Sequence, residues 1–143
     1  MAGGVLLPDE ELMAVALLTA ALDGVTVCTD LPDGSAFTAA LPVVRVLRAG
    51  GLPDIAAWGG DVLRDNPRLS VDCYAASRAQ CKELVARVRA AWMSMAGAST
   101  PQGSVSRAWE EVGPTARPEE PNTNITRFGW IAGMSVRPPR AGS

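Results

Sequence analysis

Pro67-Arg68-Leu69-Ser70-Val71-Asp72-Cys73-Tyr74-Ala75 runs almost directly into Ser77-Arg78-Ala79-Gln80-Cys81, and the hydrophobic period changes at the join. In the first stretch Leu69, Val71 and Cys73 alternate with Arg68, Ser70 and Asp72, the two-residue period of a half-buried strand. In the second, Cys81, Leu84, Val85, Val88, Trp92 and Met95 recur at helical spacing. Ser77 with Gln80 three residues on has the form of a capping box. Arg78, Lys82, Glu83, Arg87 and Arg89 lie mostly off the apolar stripe, and Glu83 stands one turn from Arg87, where it can pair. The helix is expected to end near Met95 or Gly97.

Upstream, Pro8-Asp9-Glu10-Glu11 precedes LMAVALLTAAL and then Asp23-Gly24. Proline suits a first helical turn, three acids complement the positive end of the helix dipole, and glycine supplies the stop. A helix over about residues 8–23, apolar nearly all round, should be largely buried or lie at an interface. Val25 to Cys28 reads as a short strand, and Pro32-Asp33-Gly34-Ser35 as a turn within the stretch Thr29 to Ala40. Leu41 to Arg48 is a second strand, with Pro42 at its start or on an edge. Ala49 to Pro67, rich in Gly, Pro and Asp, is a long connection around Trp58.

Downstream of the helix, Val105, Arg107 and Trp109 alternate with Ser106 and Ala108 in a strand that runs on to Val112. Gly113 to Asn122 reads as an irregular loop, and Asn124 to Arg137 as the longest strand, with Phe128, Trp130, Ala132, Met134 and Val136 on one face. The order helix, three strands, helix, two strands predicts an α+β fold. A mainly antiparallel sheet of about five strands carries two main helices on one face. Residues 1–138 are expected to form one domain and 139–143 a disordered tail.

Composition narrows the chemistry. Of 143 residues 48% are apolar, enough for a packed core, and a net charge of −2 without like-charge blocks argues against a nucleic-acid arm or a membrane-surface helix. There is no histidine, which removes the commonest general base and every Ser-His or Cys-His nucleophile. Cys28, Cys73 and Cys81 show no CxxC spacing and read as free thiols in a reducing compartment. The apolar stretch Leu12 to Leu22 follows acids and is too short to span a bilayer, so the chain is expected to fold in a cytoplasm. Ala49-Gly50-Gly51 and Gly59-Gly60 match neither a P-loop nor a dinucleotide fingerprint. No carboxylate pair shows convergence of the kind hydrolysis needs. The expectation is a non-enzymatic protein with no metal and no cofactor. Trp92 and Trp130 belong to apolar stripes and should be core, and Trp109 core or edge. Trp58 reads either as a loop anchor or as an intersubunit contact.

Leu41-Pro-Val-Val-Arg-Val, a glycine-rich loop, Pro67 to Ala75 running into the helix, Gly113-Pro-Thr-Ala-Arg-Pro, and Asn124-Ile-Thr-Arg-Phe-Gly-Trp to Val136-Arg-Pro together resemble the tail terminator (tail-completion) proteins of long-tailed bacteriophages. The resemblance spans about residues 5 to 138 and is one of pattern and order. It implies a homohexameric ring that caps the tail tube, contacts the tube protein and a head-side connector, and lets DNA pass without specific binding. It also implies a place in the virion neck after assembly in the host cytoplasm. Under it Arg48, Asp54, Trp58, Arg64, Trp109, Arg117 and Arg127 are candidate interface residues, and Asp61, Asp65, Glu119 and Glu120 candidate lumen acids. The alternatives are a connector or neck protein of the same machine and, in a different class, a small-ligand-binding α+β domain.

Overall fold

A computed structural model describes residues 6–54, 64–117 and 125–139. Nine elements follow in chain order: α1 (Glu10–Ala21), β1 (Thr26–Cys28), α2 (Gly34–Ala40), β2 (Val43–Pro53), β3 (Asp65–Ala75), α3 (Arg78–Met93), β4 (Ser99–Thr100), β5 (Gly103–Arg117) and β6 (Thr126–Arg137). The strands form one mixed sheet in the order β1-β2-β3-β6-β5-β4. β1 pairs parallel with β2, and every other neighbouring pair is antiparallel.

The alternation in β3 does what its pattern predicts. Leu69, Val71 and Cys73 are fully buried together with Val44 and Val46 of β2, Trp130, Ala132 and Met134 of β6, and Val105 of β5. Onto that face α3 sets Cys81, Leu84, Val88 and Trp92, while α1 contributes Met13, Ala14 and Leu18. The cap of α3 is as expected, the Gln80 amide donating to Ser77 Oγ at 3.2 Å. Helix α1 starts two residues later than expected, at Glu10, because Asp9 is its cap and accepts the Leu12 amide at 3.1 Å. Trp92 and Trp130 are both core, and the Trp92 indole donates to the Gly133 carbonyl at 3.1 Å.

Four expectations are corrected. The described residues hold six strands and three helices, β4 and α2 being the additions. Helix α2 lies where a turn was expected, since Gly34, Ser35 and Thr38 are weak helix formers that mask a short helix. It also packs on the other side of the sheet. Phe37 meets Tyr74 edge-on with ring centroids 5.2 Å apart, and Tyr74 points opposite to its neighbour Cys73. Strand β5 continues to Arg117 through Gly113 and Pro114, with register shifts that absorb both residues. Finally, Arg87 donates to the Asp23 carbonyl at 3.0 Å and does not pair with Glu83.

Candidate assembly surface

While α1 and α3 cover one sheet face, the other carries α2 over Tyr74 and, beyond it, a run of charged side chains. At its centre is Asp72, 1% exposed. The strand register brings Arg45 opposite Asp72 on one side and Gly129 opposite it on the other. Arg45 Nη2 bonds Asp72 Oδ2 at 3.2 Å, and Arg127 reaches Oδ1 through Nε at 3.2 Å and Nη2 at 3.1 Å. Arg117, facing Arg127 across the β5–β6 ladder, comes only within 3.8 Å of Oδ1. A buried carboxylate is tolerable when it is paired, and here three guanidiniums converge on one. The convergence needs Gly129, because a Cβ there would collide with both Asp72 and Arg117.

Farther along the same face the Trp109 indole lies flat on Gly133, where a Cβ would strike it. Its Nε1 donates to Glu111 Oε1 at 3.2 Å, and the Arg107 guanidinium lies 5.4 Å from the ring centroid. Glu111 also pairs with Arg68. Val112, 49% exposed, continues this surface toward the β5 edge. On the helix-bearing face Glu110 instead holds Arg89 of α3, whose Nη2 donates at 2.9 Å. That hydrogen bond pulls the Glu110 carboxyl below its usual range, with partial burial opposing it.

The opposite end of the sheet is tied up internally. Arg48 Nη1 bonds Asp65 at 2.6 Å and stands 3.5 Å from Glu10, and the Arg48 amide donates to Glu11 Oε2 at 2.7 Å. The Asp65 hydrogen bond raises the Arg48 pKa further against the effect of burial. Asp65 is 2% exposed, so the expectation of an unpaired lumen acid there is corrected: its charge is spent inside the chain. Arg48 likewise has little left for a partner. Asp54 and Arg64 face each other at 3.5 Å, and Asp54 also accepts from Asn66 at 2.8 Å. Trp58, Asp61, Glu119 and Glu120 lie outside the described residues.

Sequence reasoning named Arg117, Arg127 and Trp109 but missed Asp72, Arg45, Gly129 and Gly133. An acid on the outward positions of an amphipathic strand looks like a solvated one. Only the cross-strand register reveals that three arginines share it.

Cys73 is buried, and its thiol pKa is driven up by that burial. The Cys81 thiol, raised for the same reason, donates to the Cys73 carbonyl at 3.3 Å. Among the described residues no group of three or more His, Cys, Asp and Glu is placed to hold a metal, and no helix is long and apolar enough to cross a membrane. A groove of about 300 Å³ beside Leu41 and Pro42 keeps its polar lining, Gln80, Glu83 and Arg87, exposed on the rim.

The fold is a small mixed α+β one whose sheet carries, on the face opposite α1 and α3, a cluster of arginines around Asp72. The chain matches the phage tail termination protein family over residues 6–124 and belongs to it. It is a structural protein of the phage tail. In fold it is similar to a chain of the virion of the native gene transfer agent (GTA) particle, at a TM-score of 0.56 and 18% identity, over 90% of each chain. At that identity the likeness speaks for the fold alone. No curated protein matches the sequence.

Proposed function

We propose that six copies of this chain close into a ring on the end of the tail tube. The ring ends tube growth by occupying the surface on which the next tube subunit would dock. It presents a different surface, which receives the head-side connector. No bond is made or broken, so the work is steric and interfacial. The observation that carries this reading is the family match over residues 6–124, more than half of the chain. The part of the sheet face beyond α2, with Trp109, Val112 and Arg117, fits the role, because a subunit of a ring needs surface left over after its own core is built. DNA would slide past a protein of net charge −2, with Asp61, Glu119 and Glu120 the acids proposed for the lumen and Trp58 for a subunit contact. Subunits would fold in the host cytoplasm and end in the neck of the virion.

The test is particle mass by light scattering over a concentration series, with and without purified tail tubes, followed by tube growth with the protein added. Discrete hexamers, alone or on tube ends, with growth arrested at capped ends, are expected. A monomer at every concentration that ignores tubes would overturn the proposal.

A further inference from the structure

The outer end of β2 is held by side chains as well as by its ladder. Gly50, Gly51, Leu52 and Pro53 pair with Arg68, Pro67, Asn66 and Asp65, but Pro53 and Pro67 have no N–H to give. β1 shields β2 only at Val43–Arg45, so the stretch lies on the sheet edge, and none of its side chains joins the core. A register shift separates it from the body of β2, with Gly50 at φ 150° and Gly51 at φ 93° just beyond. Glycine there gives the backbone no stiffness of its own. Arg48, on the near side of the shift, supplies it. Its Nε donates to the Gly50 carbonyl at 3.0 Å and its Nη2 to the Gly51 carbonyl at 3.2 Å, while Asp65 accepts from Nη1 at 2.6 Å and Nη2 at 3.2 Å. Nη1 also faces Glu10 of α1 at 3.5 Å, so no N–H of the guanidinium lacks a facing acceptor. Farther out, Asn66 Nδ2 donates to the Leu52 carbonyl at 3.1 Å and to Asp54 at 2.8 Å.

We propose that Gly50–Asp54 is a strap that opens from the sheet as a unit, with Arg48 as its latch and the first turn of α1 as the part that sets the latch. The structure shows it closed. Opening releases the Gly50 and Gly51 carbonyls and turns the backbone at the two glycines. β3 stays in place, because Asp65 and Arg68 also pair with Val136 and Gly133 of β6. The strap adds nothing to the core, so it opens at a lower free energy than the whole domain unfolds. What it uncovers is the outer edge of β3 from Asp65 to Arg68, and it carries with it Leu52, 78% exposed already. Glu10 faces the latch and Glu11 holds the Arg48 amide at 2.7 Å, so α1 and the strap are coupled through one residue. Whatever engages the two acids loosens the strap, and whatever holds the strap open loosens the acids by the same factor. Lysine at position 48 would keep a charge opposite Asp65 but lacks the planar fork that grips two carbonyls as well. The latch operates within a single copy, so it stands or falls without the ring.

The experiment is residue-resolved amide hydrogen exchange on the full chain. It follows the protected amides of the strap, Asp54 foremost because it donates to the Arg64 carbonyl at 3.0 Å, against Val71 and Trp130 in the two central strands. Arg48→Lys, and separately Glu10→Ala with Glu11→Ala, should each speed exchange in the strap at least about tenfold, the weight of one or two lost hydrogen bonds, and leave Val71 and Trp130 unchanged. An arginine that only neutralised Asp65 would be replaced by lysine without effect on the strap. If circular dichroism shows that the double alanine variant fails to fold, Glu10→Ala alone, which spares the Arg48 amide bond, carries the helix arm of the test. Strap amides indifferent to Arg48→Lys would overturn the latch. Exchange that quickens in step across strap and central strands would overturn it too, because no separate unit then opens. A strap that responds to Arg48→Lys but to neither glutamate variant would overturn the coupling to α1.

Discussion

Asp72 shows how much one residue carries once the register is known. Its carboxylate is almost wholly buried and holds Arg45 and Arg127 at 3.1–3.2 Å with Arg117 close by. Removing one partner of a buried ion pair leaves the others uncompensated, which costs far more than the pair itself contributes. Asp72→Asn keeps the shape and deletes the charge, so the loss should be electrostatic. We expect about 3 kcal/mol of unfolding free energy to disappear, seen as a lower urea midpoint at unchanged slope. A loss below about 1 kcal/mol would mean that water already shields the guanidiniums. Gly129 belongs to the same argument, since its missing side chain is what lets Asp72 and Arg117 approach.

At the scale of elements, α3 is fastened to β5 through Arg89 and Glu110. Arginine holds the Glu110 carboxyl below its unfolded value, so the folded state binds that proton less readily than the unfolded one. The resulting stability is present above the unfolded pKa and fades as pH falls through the lower folded value. Both side chains are substantially exposed, 46% for Arg89 and 23% for Glu110, which keeps the contribution under about 1 kcal/mol. Arg89→Ala should therefore lower stability slightly at pH 7 and flatten its acid dependence, with wild type and variant converging once the Glu110 carboxyl is protonated in the folded state, as thermal melts across pH would record. The elements were unequally legible. β3 and α3 could be read because their apolar residues keep one period from end to end, and tertiary packing agrees with that period. α2 could not, because the glycine, serine and threonine that suggest a turn are held helical by Phe37 docking on Tyr74. The far half of β5 was hidden by Gly113-Pro114, residues that end most strands but fall here at register shifts. The Asp72 site was invisible for a different reason: its residues come from four strands, and no spacing along the chain encodes which rows they share.

For the whole molecule, the deciding question is how a sheet with two flanks avoids indiscriminate strand pairing yet still assembles. Beyond its pairing with β1 at Val43–Arg45, the outer edge of β2 would offer bare amides. Glu11 of α1 takes the Arg48 amide at 2.7 Å, the Arg48 side chain turns back onto the Gly50 carbonyl at 3.0 Å, and Pro53 ends the strand without a donor. On the other flank, β4 covers β5 only at Gly103 and Ser104, and the rest of that edge is broken by register shifts and Pro114. Both edges are thus blunted against strand addition over most of their length. Glu11→Ala tests that protection. It should expose the Arg48 amide, cost about 1–2 kcal/mol, and raise time-dependent light scattering through edge-to-edge association. That scattering should be insensitive to added salt, because it uses backbone groups and not charge. If Glu11→Ala instead abolished discrete oligomers and left scattering unchanged, the α1 flank would itself be the subunit contact, and the protection ascribed to Glu11 would be wrong.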